Sequence, residues 1–96
     1  MFKLYPTFTQ DHKVLARMAL LNAGVSSSIR VRGYAARVRV PAGQAQAACD
    51  ALNEAGFCDA TGDPLSLHFF SDPEAVTDLD CVRVQPIMVR AVRRAA

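Results

Sequence analysis

No stretch of this sequence is both long and apolar enough to cross a bilayer. The longest uncharged run, Met18 to Ile29, falls well short of the ~20 apolar residues a span needs, and it carries Asn22, Gly24 and three serines. A membrane partner is therefore not expected. The first residues, Met1-Phe2-Lys3-Leu4-Tyr5-Pro6, have no apolar core of leader-peptide length, which leads us to expect a cytoplasmic protein. Cysteine is scarce and odd in number: Cys49, Cys58 and Cys81 cannot all pair, and none forms a C-x2-C knuckle. Structural thiols in a reducing compartment are expected, with no metal site. Also missing are a glycine-rich phosphate loop, paired carboxylates on one segment and any cofactor motif. His12 and His68 have no partner recognisable from spacing. These absences predict no enzyme activity and no cofactor.

What is present is the composition of one folded domain spanning residues 1–96, with 51% hydrophobic and 21% charged residues. Phe2 to Tyr5 alternates apolar and polar residues and reads as a strand closed by Pro6. Thr9 is a candidate N-cap for a helix over Gln10 to Ala23, whose Val14, Leu15, Met18 and Leu21 recur at helical spacing. Val14, Met18 and Leu21 are accordingly expected in the core with Leu52. Ser28 to Val40 alternates around Gly33-Tyr34 and predicts a hairpin. Ala45, Ala48, Cys49 and Leu52 mark a second helix ending at Gly56. The Leu-Asn-Ala-Gly-type ending of the first helix recurs in the second, with Gly24 echoed 32 residues later by Gly56. Two similar halves of this kind suggest an α+β, ferredoxin-like βαββαβ sandwich, one antiparallel sheet with both helices on one face. Further on, Leu65 to Phe70 and Cys81 to Gln85 alternate like strands, and Ser71 to about Thr77 resembles a helical turn. From Pro86 the irregular C-terminal extension reads as a short helix to Arg94, as one long strand broken at Pro86, or as a frayed tail.

Charge is strongly segregated along the chain. Residues 1–40 carry seven bases against Asp11, residues 41–80 carry eight acids and no base, and four arginines follow. Strand periodicity gives this a direction, because alternate side chains point to opposite faces. If Phe2, Leu4, Ile29, Val31, Val38, Val40, Leu65, Leu67, Phe69, Val82 and Val84 face the helices, the open face carries Lys3, Tyr5, Arg30, Arg32, Arg37, Arg39, Ser66, His68, Phe70 and Arg83. Cations interleaved with aromatic rings suit a polyanion, either single-stranded nucleic acid or an acidic protein surface. The competing interpretation is a solvated outer face, for which polar side chains are required in any case.

Arg32-Gly33-Tyr34-Ala35 is similar to the start of the RNP1 motif of RNA-recognition motif domains, K/R-G-F/Y-G/A-F-V-x-F/Y. That resemblance implies base stacking on the third strand, but Ala36 and Arg39 stand where the motif has aromatics. Three roles follow from the residues: a binding module using the arginine face, a homo-oligomerising domain, or a small phage or mobile-element inhibitor of the anti-CRISPR kind. The second has a specific form, a two-fold homodimer in which each arginine face meets the other protomer's acidic edge at Asp50, Glu54, Asp59 and Asp63. Internal neutralisation, with Asp78 and Asp80 folding back beside Arg83 and the hairpin arginines, is its alternative.

Overall fold

The structure, a computed structural model, describes residues 2–41, 43–66 and 77–89. In chain order the elements are β1 (Phe2–Leu4), α1 (Gln10–Asn22), β2 (Ser28–Arg32), β3 (Ala35–Val40), α2 (Ala45–Glu54), β4 (Phe57–Cys58), β5 (Thr77–Val84) and β6 (Ile87–Val89). The class is α+β, with two helices and antiparallel strand pairing throughout. Among the described residues no helix is long and apolar enough to cross a membrane.

Gly33 takes φ 58°, a conformation cheap only for glycine, and turns the chain so that Ile29 lies opposite Val38 and Arg30 opposite Arg37. The hairpin forms where the alternation placed it. β3 then pairs with β5, and β5 with β4, giving the order β2-β3-β5-β4. The register shifts between Ala36 and Val38, where the partners step from Val82 to Leu79. That irregularity keeps both Leu79 and Val82 in the core although they are three residues apart.

A ferredoxin-like order would place the first strand inside this sheet, but β1 pairs with β6 in a separate two-stranded ribbon. The place beside β3 is taken by β5, which offers eight residues of ladder against three. Leu4, expected to face the helices, is consequently 52% exposed. Ile87–Val89 forms β6, so the short helix predicted from Pro86 is replaced by the broken-strand alternative. Leu65 and Ser66 lie outside any strand, and the rest of the strand expected to Phe70, with the helical turn up to residue 76, lies outside the described residues. β4, a strand of two residues, was not anticipated.

One core cluster joins both helices to one face of the sheet. α2 buries Ala45, Ala48, Cys49 and Leu52 as the spacing predicted. α1 does not follow its prediction. It buries Ala16 and Leu20, while Val14, Leu15 and Met18 are each 55% exposed and Leu21 58%. The rotation is set at the helix start. Thr9 Oγ1 accepts from the His12 amide while His12 Nδ1 accepts from the Thr9 amide, a reciprocal cap. Just before it, buried Phe8 donates its amide to Gly33 O and sets its ring 5.5 Å from that of Phe57. With Phe8 anchored inside, the small Ala16 approaches the sheet and the larger side chains turn outward.

Cys49 and Cys58 are buried free thiols. Burial, reinforced by Asp50, pushes Cys49 up to about 11. Cys58 is also raised, by burial and then Asp59, and its Sγ lies 3.7 Å from Val84 O. Neither is a nucleophile at neutral pH. Both should resist iodoacetamide at pH 8 in the native protein and label fully in denaturant, as mass spectrometry of digested samples will show. Leu52→Ala should cost about 2 to 5 kcal/mol by opening a cavity between α2 and the sheet, measurable in urea unfolding.

Candidate polyanion-binding face

Arg30, Arg32, Arg37 and Arg39 all stand exposed on the sheet face away from the helices, because Ile29, Val38 and Val40 take the inward positions and Val31 packs against the core. Arg30 and Arg37 are direct cross-strand partners. Like charges so placed repel. Arg39 differs, since Asp78 is its partner on β5: Nε lies 2.7 Å from Oδ1 and Nη2 3.2 Å from Oδ2, a two-pronged ion pair. The hydrogen bonds from Arg39, with the added charge of Arg37, hold Asp78 below the usual carboxylate range. Asp78 thus neutralises Arg39, as the alternative of internal neutralisation expected for that acid. Ser28, Arg30, Arg37, Arg39 and Asp78 line a shallow pocket of about 120 Å³, with three guanidiniums around a single carboxylate.

Lys3, Tyr5 and Arg83 form a second group, in which Arg83 lies opposite Ala35 on β3, across that residue from Arg32. The Arg83 guanidinium lies 4.7 Å from the Tyr5 ring centre, a cation–π contact, and Lys3 Nζ donates to Thr61 O at 2.8 Å. Arg83 is half-buried and its Nε has no hydrogen-bond partner among the described residues. Tyr5 and Lys3 thus hold the N-terminal strand against the Asp59–Asp63 loop rather than standing open beside the hairpin arginines. Gly62 permits that approach: its φ is 88°, and a Cβ would sit 3.1 Å from both Lys3 Nζ and the Tyr5 hydroxyl. His68 and Phe70 lie outside the described residues.

Tyr34, the aromatic of the RNP1-like stretch, sits in the turn after Gly33 and is exposed, not in the middle of a strand. No described aromatic ring therefore lies open among the four arginines. Lys13 and Arg17, which the strand-based reading did not include, line a pocket of about 180 Å³ with Ser27, Ser28 and Ile29. Ser28 belongs to both pockets, so these two bases stand next to the arginine face around the edge of β2. The signal for them was the helical register of α1, which the strand argument did not use.

The acids are distributed by role. Asp59 is only 4% exposed. Its Oδ1 accepts from the Thr61 amide and hydroxyl and from the Asp63 amide. Burial pushes Asp59 up, but these hydrogen bonds and one from the Gly62 amide outweigh it and hold the group below the usual range. Asp59 is thus a loop-forming residue and not part of an open acidic edge. A carboxylate depressed on folding stabilises above its unfolded pKa, about 3.9, and that contribution disappears as pH falls through the folded value. Asp59→Asn, which keeps an acceptor but cannot ionise, should lower stability by about 1 to 2 kcal/mol at pH 7. Its deficit should shrink steadily below about pH 4 in urea titrations. An unchanged deficit at pH 2 would contradict the assignment.

No group of three or more histidine, cysteine, aspartate or glutamate side chains suited to a metal occurs among the described residues. Neither known protein families, curated proteins nor solved structures provide a match to this chain.

Proposed function

We propose that this protein is a binding module without chemistry of its own, and that the outer sheet face engages the backbone of single-stranded nucleic acid. The observation that carries the reading is the register of the hairpin, which sets Arg30 directly across from Arg37 with Arg32 and Arg39 on the same exposed face. Guanidiniums gathered on one exposed face in this way suit a row of phosphates. The open pocket lined by Arg30, Arg37, Arg39, Ser28 and Asp78 presents guanidiniums and no aromatic ring, which suits phosphate better than a base. The same reading treats the architecture as ferredoxin-like in spatial order, with β5 standing where the first strand of that fold would be.

An acidic protein surface is the second reading. It is favoured by the position of Tyr5, whose ring is already covered by Arg83 and offers no platform for a base.

The test is a salt series of binding to random single-stranded RNA and DNA. Arg30→Ser, Arg32→Ser and Arg37→Ser together leave the Arg39–Asp78 pair in place and should reduce the slope of log K against log salt by about 2, at roughly 0.7 per phosphate contact. No binding of the native protein to either polymer at ~50 mM salt, where electrostatic contacts are strongest, would overturn the nucleic-acid reading and leave the acidic-protein one.

A further inference from the structure

α1 is apolar on two opposite sides. Ala16 and Leu20 face the core, and on the far side Val14, Met18 and Leu21 follow one another at i, i+4 and i+7, with Leu15 beside them. All four are more than half exposed. A helix apolar all round is normally a buried helix. Here the larger apolar side chains are the ones turned outward, which costs hydrophobic stabilisation unless another surface covers them.

The surroundings of this stripe point to what covers it. On one flank lie Lys13 and Arg17, on the side of α1 that faces Ser27 and Ser28. On the other flank a groove of about 560 Å³ runs between the two helices, floored by alanines of both and bordered by Asp50 and Glu54 of α2. The helical face is therefore ordered laterally as base, apolar stripe, small-residue groove, acid. A two-fold axis lying in this face and parallel to α1 exchanges left and right, so it sets the basic flank of each copy over the acidic flank of the other. The same operation lays the apolar stripe of each copy against the alanine groove of the other, so that the two α1 helices lie side by side across the axis at the centre.

We propose that this face is the interface of a two-fold homodimer, with Leu15, Met18 and Leu21 at its centre and Lys13 and Arg17 opposite the partner's Asp50 and Glu54. The assembly differs from one built on the arginine face, because it uses the opposite side of the molecule and leaves both sheet faces outward. It goes beyond the nucleic-acid reading and does not depend on it.

Sedimentation at tens of micromolar protein and low salt should show a dimer that weakens as salt is raised. Met18→Glu should raise the dissociation constant by ~10-fold or more, as truncation of an interface anchor does, with unchanged circular dichroism since the side chain is exposed in the protomer. Two charge-reversed proteins provide the second measurement: one carrying Lys13→Glu and Arg17→Glu, the other Asp50→Lys and Glu54→Lys. Each should be monomeric alone, and an equimolar mixture should recover the dimer mass as a heterodimer, because both of its charge contacts are then between opposite signs. The four changes combined in one chain should restore the homodimer. A native protein that is monomeric throughout, or a dimer indifferent to Met18→Glu, overturns the proposal and assigns the stripe to a different occupant.

Discussion

The alternation of residues through the β2–β3 hairpin is the constraint on which the rest depends. Once Gly33 reverses the chain, Ile29, Val38 and Val40 must go inward together, and the arginines between them must go outward together. A one-residue slip would bury several guanidiniums, each without a carboxylate to meet it, at a cost no small core could offset. The arginine face is thus a consequence of core formation before it is a binding surface. What core formation does not require is that four of the outward positions between Ile29 and Val40 be arginine, since serine or threonine would satisfy the same alternation.

The elements readable from the sequence were those whose signal is local. The hairpin and α2 show a clean period, with the buried positions of α2, Ala45, Ala48, Cys49 and Leu52, all on one side. Elements whose existence depends on a distant partner were misread. β6 begins at Ile87, just after Pro86, where a proline is a fair helix-start signal, and only pairing with Phe2–Leu4 makes it a strand. β4 has two residues, too few to show any alternation. β5 begins at Thr77, four residues ahead of the expected Cys81, because Leu79 and Val82 are separated by an irregularity that breaks the period of two.

α1 failed for a different reason. Its apolar residues occupy both sides of the helix, so periodicity alone offered two solutions, and the larger side chains made the wrong one look better. The choice was made elsewhere, by Phe8 bonded to the turn at Gly33 and by the Thr9–His12 cap that starts the helix in a fixed orientation. Of the candidate site, the four hairpin arginines were readable for the same reason as the hairpin. Lys3, Tyr5 and Arg83 were assigned to the open face by strand parity, but β1 left the sheet, so Lys3 meets the Asp59–Asp63 loop and Tyr5 packs on Arg83, which keeps its place in β5 opposite Ala35.

Charge segregation along the chain overstated the charge segregation in space. An acidic edge was expected at Asp50, Glu54, Asp59 and Asp63, yet the acids stand in different environments. Asp59 is turned inward to close a loop, Asp78 lies on the sheet beside Arg39, and Asp50 and Glu54 stand on α2. The first two are consumed by the fold. Only the α2 pair borders an apolar surface, and it does so on the opposite side of the molecule from the arginines of the hairpin. A contact between arginine face and acidic edge would therefore have to bring together opposite faces of two copies, a head-to-tail relation that generates open chains unless its rotation closes. A contact through the helices carries base and acid on one face, which is the arrangement a closed pair requires. The geometry consequently separates two surfaces that the linear charge pattern had merged: the sheet face, with its cluster of guanidiniums, and the helical face, with balanced charge around an apolar centre.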